Sequence, residues 1–209
     1  MATVIVVLAM GYVLGSIPSG VWLGKAFKGI DIRKHGSRSI GATNVFRVLG
    51  AKLAIAVLIV DMAKGFSACY LASHLDLGDT VLTSGQLAVI AGLAAILGHL
   101  FPIFAQFKGG KGAATGAGML LFLTPLEVGF TLLVFVLTVI ITRYVSLSSI
   151  LASIFFSSSV LIERYYLGYT HGDEISGLAV LLVILVLFTH RANIHRLLTG
   201  TENKLGAKR

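Results

Sequence analysis

The strongest constraint on the fold of this chain is a series of apolar stretches that take up most of its 209 residues. A helix of about 20 residues spans the hydrocarbon core of a bilayer, so the stretches fit seven spans, of which the fourth is short. Hydrophobic residues make up 56% of the chain and charged residues only 12%, which is too apolar for a soluble domain. We therefore predict an all-α integral membrane protein with about seven transmembrane helices. The stretches lie near residues 2–23, 53–73, 81–101, 113–123, 126–142, 145–162 and 174–190.

A transmembrane β-barrel is the alternative architecture. Its strands need about ten residues of alternating polarity, whereas residues 178–188 (LAVLLVILVLF) are apolar on every side. A lipid-embedded helix satisfies its own backbone groups and can be apolar all round. The sequence therefore favours helices.

Positive charge is concentrated in alternate connections between the stretches. Lys and Arg accumulate on the cytoplasmic side of short membrane loops, so we predict an outside N-terminus, a cytoplasmic C-terminus and three basic cytoplasmic segments that build one active site. Arg164 is the only Lys or Arg in the opposite connections, which hold Asp76, Asp79, Glu127, Glu163, Asp173 and Glu174. The basic residues assigned to the cytoplasmic side are Lys25, Lys28, Arg33, Lys34, Arg38, Arg47, Lys52, Lys108, Lys111, Arg143, Arg191, Arg196, Lys204, Lys208 and Arg209.

The net charge of +8 comes from these membrane-flanking loops and predicts anionic lipid headgroups and anionic substrates as partners, not nucleic acid. No Lys or Arg precedes Lys25, so the first stretch is expected to be a retained helix and not a signal peptide. Cys69 is the single cysteine, which rules out an intrachain disulfide. We expect one polytopic domain over residues 1–209, with no metal and no other cofactor.

The segment 98–116 (GHLFPIFAQFKGGKGAATG) places two lysines among glycines between apolar stretches. Backbone N–H groups at the start of the next helix, with a lysine charge beside them, bind an anion. The Walker pattern is absent. A basic loop held at lipid headgroups is the alternative, but an ionisable ring such as His99 at the end of a span is costly unless it is used. The candidate phosphate ligands are Lys108, Gly109, Gly110, Gly112 and Thr115, and the candidate catalytic residues are His99 and Lys111.

The segment 34–50 (KHGSRSIGATNVFRVLG) sets hydroxyl, amide and guanidinium donors among three glycines. Such donors suit phosphate oxygens. Ser37 and Arg47 are the candidate catalytic residues here, and Arg38 and Asn44 are candidate phosphate ligands. The alternative is a capped loop in which Ser39 or Thr43 starts a short helix.

The segment 189–203 (THRANIHRLLTGTEN) leaves the last apolar stretch. His190 and Asn193, at positions i and i+3, are expected to share one helical face and to point toward one pocket as catalytic residues. His195 and Arg196 are expected to face elsewhere. Glu202 is the only acidic residue of the tail, and we expect it to pair with a neighbouring cation.

These segments belong to a longer series of motifs with a known counterpart. The series is GSIPSG (15–20), GATNVFRVLG (41–50), DMAKG (61–65), GHLFPIFAQFKGGKG (98–112), RYVSL (143–147) and NIHRLLTGTE (193–202). In order and approximate spacing the chain resembles, end to end, the bacterial acyl-phosphate-dependent glycerol-3-phosphate acyltransferases of the PlsY type.

The resemblance implies a seven-helix enzyme of the bacterial inner membrane. Such an enzyme moves a fatty acyl group from acyl phosphate to the 1-hydroxyl of sn-glycerol 3-phosphate, giving lysophosphatidic acid and phosphate, which is the first acylation step of phospholipid biosynthesis. Its expected partners are these two substrates, membrane lipids and an enzyme that supplies acyl phosphate.

The same resemblance implies roles for individual residues. Ser37 and Arg47 belong to the first motif, Lys108 and Lys111 with their glycines to the glycerol 3-phosphate site, and His190 with Asn193 to the third motif. The chain departs from the family where GSGN is usual and GSRS is found, so that Arg38 and Ser39 replace Gly and Asn. Which of these two side chains touches substrate stays open, and His195 in place of a frequent Asn is taken as tolerated.

Acyl phosphate is a mixed anhydride with a good leaving group, so catalysis consists mainly of positioning and charge stabilisation. The proton acceptor stays open among His99, His190 and the phosphate of glycerol 3-phosphate, and the resemblance favours the phosphate. An acyl-enzyme on Ser37 is the alternative to direct transfer, but no partner residue can be placed for it.

Two further pairs of residues and one rival function remain. His74 and Asp79 satisfy the HxxxxD spacing of thioester-dependent acyltransferases, which we interpret as coincidence because they lie in an outer connection.

Asp61 and Lys64 form an intramembrane pair at i and i+3. Such a pair suggests a function by default, although we favour a role in bracing the packing of the helices. A carrier for a phosphorylated metabolite is the rival function; against it, the donors cluster on one side of the membrane.

Overall fold

The computed structural model describes residues 1–75, 77–168 and 172–206, without the side chain of Asp173. All regular elements within these residues are helices, as an all-α membrane protein requires. Asp76, Lys208 and Arg209, which contributed to the charge asymmetry, lie outside the described residues. The chain divides into two compact units, Met1–Leu123 and Thr124–Arg209, which are described in turn.

The first unit is built around one central helix. α4 packs against α1, α5 and α6, and α1 packs along α5. Short 3₁₀ turns occupy Ile32–Lys34 and Ile103–Ala105. The helices of this unit are α1 (Ala2–Gly15), α2 (Ser19–Lys28), α3 (Ala42–Leu49), α4 (Ala51–Ser73), α5 (Ser84–Leu100) and α6 (Ala113–Leu123).

Glycines allow the helices of this unit to approach closely. A Cβ atom on Gly15 of α1 would meet the backbone of Ala95 on α5, and a Cβ atom on Gly65 of α4 would meet the backbone of Thr115 on α6. Small residues at such crossings let membrane helices pack by backbone contact. The main apolar cluster of the unit is correspondingly rich in alanine, and its buried members are Val7, Ala68, Ala72, Leu87, Ala91 and Ala95.

Asp79 holds the start of α1. Its carboxylate accepts hydrogen bonds from the Met1 amino group at 2.5 Å and from the backbone N–H and hydroxyl of Thr3. These donors, the amino group first, lower the pKa of Asp79 below its ordinary range. His74 instead contacts the carbonyl oxygen of Tyr70 through Nδ1 at 2.8 Å. The HxxxxD spacing therefore produces no His–Asp pair, in agreement with its interpretation as coincidence.

The second unit has α8 at its centre. α8 packs against α7 and α9, and the short α10 contacts both α8 and α9. The chain bends by 63° between α9 and α10, with His190 at the junction. The helices are α7 (Pro125–Thr142), α8 (Val145–Tyr165), α9 (Asp173–Thr189) and α10 (Arg191–Leu198).

Length and hydropathy identify five segments among the described residues that can each cross a membrane. A sixth results if the bent pair α9 and α10 counts as one span, and α6, of 11 residues, is a shorter apolar helix. The integral membrane architecture is thus confirmed, while seven spans and their orientation remain predictions. The five segments are Ala2–Lys28, Ala51–Ser73, Ser84–Ala105, Pro125–Thr142 and Val145–Tyr165.

Candidate active site

The glycine segment folds back onto the end of α5. The backbone N–H of Gly110 donates to the carbonyl oxygen of His99 at 3.0 Å. A Cβ atom on Gly109 would collide with the carbonyl oxygens of His99 and Leu100, and a Cβ atom on Gly110 would collide with Nε2 of the His99 ring. Glycine is therefore required at both positions for the loop to lie against α5.

Backbone strain is concentrated in the same loop. Gln106, Phe107 and Gly112 have φ angles of 57°, 58° and 79°, and each left-handed non-glycine residue costs about 1–2 kcal/mol. Strain of this kind persists where surrounding contacts hold it and is common at ligand sites. α6 begins directly afterwards, at Ala113, so the loop places the N–H groups of its first turn next to Lys111. This arrangement is able to bind a phosphate group.

Arg33 ties the segment 34–50 to the glycine segment. Its guanidinium donates to the carbonyl oxygen of Ala105 at 3.0 Å, and to the carboxylate of Asp31 at 3.0 Å and 2.7 Å. The hydrogen bonds from Arg33 lower the pKa of Asp31 from 3.8 to about 2. The Asp31–Arg33 pair therefore helps to fix the position of the chain just before the two lysines.

The pair should make stability depend on pH. The pKa of Asp31 is lower in the folded protein than in the unfolded chain. The free energy of unfolding that the pair contributes is therefore fully present above pH 3.8 and is lost as the pH falls through about 2. We expect Asp31→Asn to lower the free energy of unfolding by about 1 kcal/mol near neutral pH, the upper range for a partly screened ion pair. Thermal unfolding in detergent at several pH values checks this. A difference between Asp31→Asn and wild type that persists undiminished below pH 2 would contradict it.

Asn44 organises the first segment through hydrogen bonds to the backbone. Its side chain is 1% exposed. The amide oxygen accepts from the Ser37 N–H at 2.8 Å, and the amide nitrogen donates to the carbonyl oxygens of Ile32, His35 and Ser39 at 3.2, 3.1 and 2.8 Å. Both amide hydrogens are thereby used, and the side chain positions the backbone of Ser37. The role of Asn44 as a phosphate ligand stays a prediction.

The remaining candidates of this segment lie near the surface. A short helix, α3, does begin at Ala42, but Gly41 is its N-cap and no side chain caps it, so neither Ser39 nor Thr43 starts it as the alternative supposed. Ser37 and Arg38 are exposed, and Arg47, in the last turn of α3, is partly buried.

Arg38 occupies a backbone position that favours glycine. Its φ angle is 62°, which explains why the related family commonly has Gly there. Relief of this strain outweighs the greater flexibility of glycine in the unfolded chain, so we expect Arg38→Gly to raise the free energy of unfolding by about 0.5 kcal/mol. Equilibrium unfolding in detergent measures the change, and a clear destabilisation would contradict it.

In the second unit, Glu202 gathers the polar side chains of the segment 189–203. Its carboxylate accepts from Asn193 at 2.9 Å, from Ser146 at 3.2 Å and from Arg196 at 2.7 Å. The expected pairing of Glu202 with a cation is thus confirmed, with Arg196 as the partner. Ser146 was missed as a member of this cluster, although it lies in the RYVSL motif.

His190 and Asn193 are both buried, at 3% and 6% exposure. His190 lies at the junction of α9 and α10 as the N-cap of α10, and Asn193 is within α10. A common pocket for the two side chains stays a prediction. His190 Nδ1 lies 2.9 Å from the carbonyl oxygen of Val186, which can only accept; Nδ1 therefore carries the proton in the neutral ring.

A buried polar cluster lies at the end of α5 that faces the glycine segment. Lys64 is 2.6 Å from a carboxylate oxygen of Asp61 and 3.2 Å from Nδ1 of His99, and Ser19 donates to the same Asp61 oxygen at 2.5 Å. The link between His99 and the Asp61–Lys64 pair was missed, because sequence alone does not show which spans are neighbours. No set of three His, Cys, Asp or Glu side chains in the described ranges is arranged to hold a metal ion.

Known proteins are similar to this chain in sequence and fold. The family model described as glycerol-3-phosphate acyltransferase matches residues 5–200. The glycerol-3-phosphate acyltransferase of Fusobacterium nucleatum subsp. nucleatum is 47% identical over 198 residues, which cover 94% of this chain and 95% of that protein. The glycerol-3-phosphate acyltransferase 2 of Bacillus anthracis is 44% identical over 202 residues, which cover 96% and 98%.

Two crystal structures of PlsY (YgiH), an integral membrane glycerol 3-phosphate acyltransferase, are similar in fold. The glycerol 3-phosphate form has a TM-score of 0.85 at 36% identity and covers 97% of this chain and 96% of that chain. The lysophosphatidic acid form has a TM-score of 0.83 at 35% identity and covers 97% and 95%. These matches confirm the resemblance drawn from the motifs: the chain belongs to the glycerol-3-phosphate acyltransferase family and is a multi-pass membrane enzyme of the PlsY type.

Proposed function

We propose that this enzyme transfers a fatty acyl group from acyl phosphate to the 1-hydroxyl of sn-glycerol 3-phosphate at the cytoplasmic side of the bacterial inner membrane. The products are lysophosphatidic acid and inorganic phosphate. One observation carries the proposal: a strained glycine loop with two lysines is held against a buried polar cluster at the end of an apolar span. The glycerol 3-phosphate and lysophosphatidic acid forms of PlsY support the choice of acceptor and product.

The phosphate of glycerol 3-phosphate is assigned to the glycine segment. Lys108 and Lys111 supply charge, and the N–H groups of Gly109 and Gly112 supply directed donors, since the N–H of Gly110 donates to His99. The Thr115 hydroxyl is fully buried, and within the described structure it has no hydrogen-bond partner. A buried polar atom of this kind calls for a partner, which supports a role for Thr115 beside the bound phosphate.

The reaction needs one attack and one departure. The 1-hydroxyl oxygen forms a bond to the acyl carbonyl carbon, and the bond from that carbon to the phosphate oxygen breaks. Phosphate leaves with the electron pair, and the hydroxyl proton passes to a phosphate oxygen. Lys111, Arg47 and the glycine amides stabilise the charge that develops on the carbonyl oxygen and on the departing phosphate.

Direct transfer fits the surroundings of Ser37 better than an acyl-enzyme does. A serine nucleophile needs a base within hydrogen-bonding distance. In the described ranges no histidine or carboxylate bonds to the Ser37 hydroxyl, and Ser37 donates its backbone N–H to Asn44. We propose that Ser37 binds substrate and that His190 and Asn193 are also required for turnover.

The donor is tested by comparing substrates. Purified protein in lipid vesicles is incubated with labelled glycerol 3-phosphate and with palmitoyl phosphate, palmitoyl coenzyme A or palmitoyl acyl carrier protein. Lysophosphatidic acid is expected with palmitoyl phosphate alone. Product only with a thioester would contradict the proposed donor, and exchange of glycerol 3-phosphate across the vesicle without acylation would favour a carrier.

His74→Ala serves as the test of the HxxxxD spacing. Since His74 bonds within its own helix end and Asp79 bonds to the N-terminus, we expect turnover within about twofold of wild type, as for an ordinary surface substitution. Initial rates with palmitoyl phosphate measure this. A loss of several orders of magnitude in folded protein would contradict the predicted topology.

A further inference from the structure

The buried cluster at the end of α5 accounts for every hydrogen of the Lys64 ammonium group. Nζ lies 2.6 Å from Oδ1 of Asp61, 2.8 Å from the carbonyl oxygen of Ile17 and 3.2 Å from Nδ1 of His99. Lys64, Asp61 and His99 are at most 4% exposed, so water does not compete for these bonds.

The three hydrogens of the Lys64 ammonium group determine the tautomer of the His99 ring. An ammonium group has three hydrogens to donate and no lone pair, and three acceptors surround it. Nδ1 of His99 must therefore accept, and in the neutral ring the proton is carried by Nε2. Oδ1 of Asp61 lies 3.8 Å from Nδ1, which is beyond hydrogen-bonding distance, so it does not compete for this position.

The protonated edge of the ring faces the glycine segment. A Cβ atom on Gly110 would collide with Nε2 and lie 3.0 Å and 3.2 Å from the adjoining ring carbons, so the backbone of Gly110 packs against this edge of the ring and only a residue without a side chain fits there. Within the described residues Nε2 has no hydrogen-bond partner. A buried ring thus presents an unused N–H group toward the loop that carries Lys108 and Lys111.

We propose that Lys64 and Asp61 hold His99 as the Nε2–H tautomer, so that His99 donates a hydrogen bond to a phosphate oxygen at the glycine segment and does not serve as general base. The inference deepens the proposed function and rests on it for the identity of the ligand. Ser19 and Asp61 fix Lys64, and Lys64 fixes the ring, so Asp61 and Lys64 are positioning residues.

The contact between Lys64 and Nδ1 determines what His99 can do in the reaction. A ring whose Nδ1 is occupied by Lys64 has no lone pair directed at the substrate and cannot remove the hydroxyl proton. That proton must pass to another acceptor, which agrees with transfer to a substrate phosphate. His99 instead lowers the energy of an anionic oxygen, as a preorganised donor does.

The tautomer is measurable without any turnover. Protein labelled with ¹⁵N-histidine is studied in lipid nanodiscs by long-range ¹H–¹⁵N correlation spectra, with His99→Gln used to assign the His99 signals. We expect Nδ1 without a proton and Nε2 with one. A proton on Nδ1, in either the neutral or the doubly protonated ring, would overturn the proposal even if acyl transfer is confirmed.

Ligand additions to the same sample identify the phosphate. Inorganic phosphate, glycerol 3-phosphate and a non-hydrolysable acyl phosphonate are added separately. A shift of the Nε2 signal with glycerol 3-phosphate places the acceptor substrate against His99, and a shift with the phosphonate alone places the acyl donor there. No shift with any of the three would overturn the contact with phosphate. The tautomer measurement needs neither ligand nor turnover, so its result does not depend on the proposed function.

Substitutions of His99 separate a donor from a base. The side-chain amide of Gln can place an N–H group near the position of Nε2 but cannot accept a proton. We expect His99→Gln to keep kcat/KM within about tenfold of wild type and His99→Ala to lower it by about 10²–10³-fold, as loss of a preorganised donor does. His74→Ala is the matched control. If His99→Gln is as inactive as His99→Ala in folded protein, His99 acts as a base.

The positioning role is tested at Lys64. Asp61→Leu combined with Lys64→Met removes the pair without leaving a buried charge. We expect the His99 signals to become a mixture of both tautomers and the KM for glycerol 3-phosphate to rise about tenfold, with kcat changed less. An unchanged tautomer and KM would confine the pair to helix packing and overturn the proposal.

Discussion

Gly109→Ala is expected to lower kcat/KM for glycerol 3-phosphate by about 100-fold. The added methyl group would meet the carbonyl oxygens of His99 and Leu100. Because both are backbone atoms at the end of α5, they cannot turn away as a flexible side chain can, and the loop that carries Lys108 and Lys111 must move instead. Misplacement of positioning groups by about 1 Å can cost about 10²-fold in rate. Initial rates at varied glycerol 3-phosphate concentration measure the effect.

Gly116→Ala is the matched control within the same segment. A Cβ atom there lies 3.6 Å from the nearest atom, Cδ1 of Ile96, which is an ordinary contact. Alanine also favours the helical conformation over glycine by about 1 kcal/mol. Gly116→Ala should therefore be close to wild type in rate and at least as stable. Equal losses in Gly109→Ala and Gly116→Ala would show that the collision with α5 does not determine activity.

Glu202→Ala is expected to cost about 3 kcal/mol in the free energy of unfolding, in the lower range for a broken buried ion pair because Arg196 is partly exposed. The substitution leaves the donors of Ser146, Asn193 and Arg196 without their shared acceptor. Activity should fall as well, since Asn193 loses the bond that orients its amide. Chemical unfolding in detergent and initial rates measure the two effects.

Glu202→Gln is the graded comparison. Its carbonyl oxygen can still accept from Asn193 and Ser146, but its amide group meets the Arg196 guanidinium with a donor instead of an acceptor. The loss of stability should therefore lie between wild type and Glu202→Ala. If Glu202→Ala is as stable as wild type, the carboxylate does not hold the segment 189–203 together.

The sequence predicted the membrane helices well because long apolar runs leave little choice in a bilayer. The stretch at 113–123 coincides with α6, and the stretch at 174–190 differs from α9 by one residue at each end. The stretch at 2–23 continues to Lys28 as one segment in which α1 ends at Gly15 and α2 begins at Ser19, with Pro18 as its N-cap. Hydropathy does not reveal such breaks, and the same is true of the bend at His190.

The candidate site was predicted less completely, because residue type does not show where hydrogen bonds go. Asn44 was chosen as a donor, yet its amide is used by the backbone of its own loop. His99 is unusual for its place at the end of a span, but Lys64 and Asp61, which lie beside it on α4, stand 35 and 38 positions earlier in the chain. Only the packing of α4 beside α5 brings them together. The strain at Arg38 likewise depends on a φ angle that composition cannot give.

The central claim is that an acyl group passes directly from acyl phosphate to glycerol 3-phosphate. It is tested most directly by following phosphorus in a reaction of purified protein with palmitoyl phosphate labelled with ³²P and unlabelled glycerol 3-phosphate. We expect all of the label to appear as inorganic phosphate, in amounts equal to the lysophosphatidic acid formed. Label in the lipid product, or release of labelled phosphate without lysophosphatidic acid, would contradict the claim.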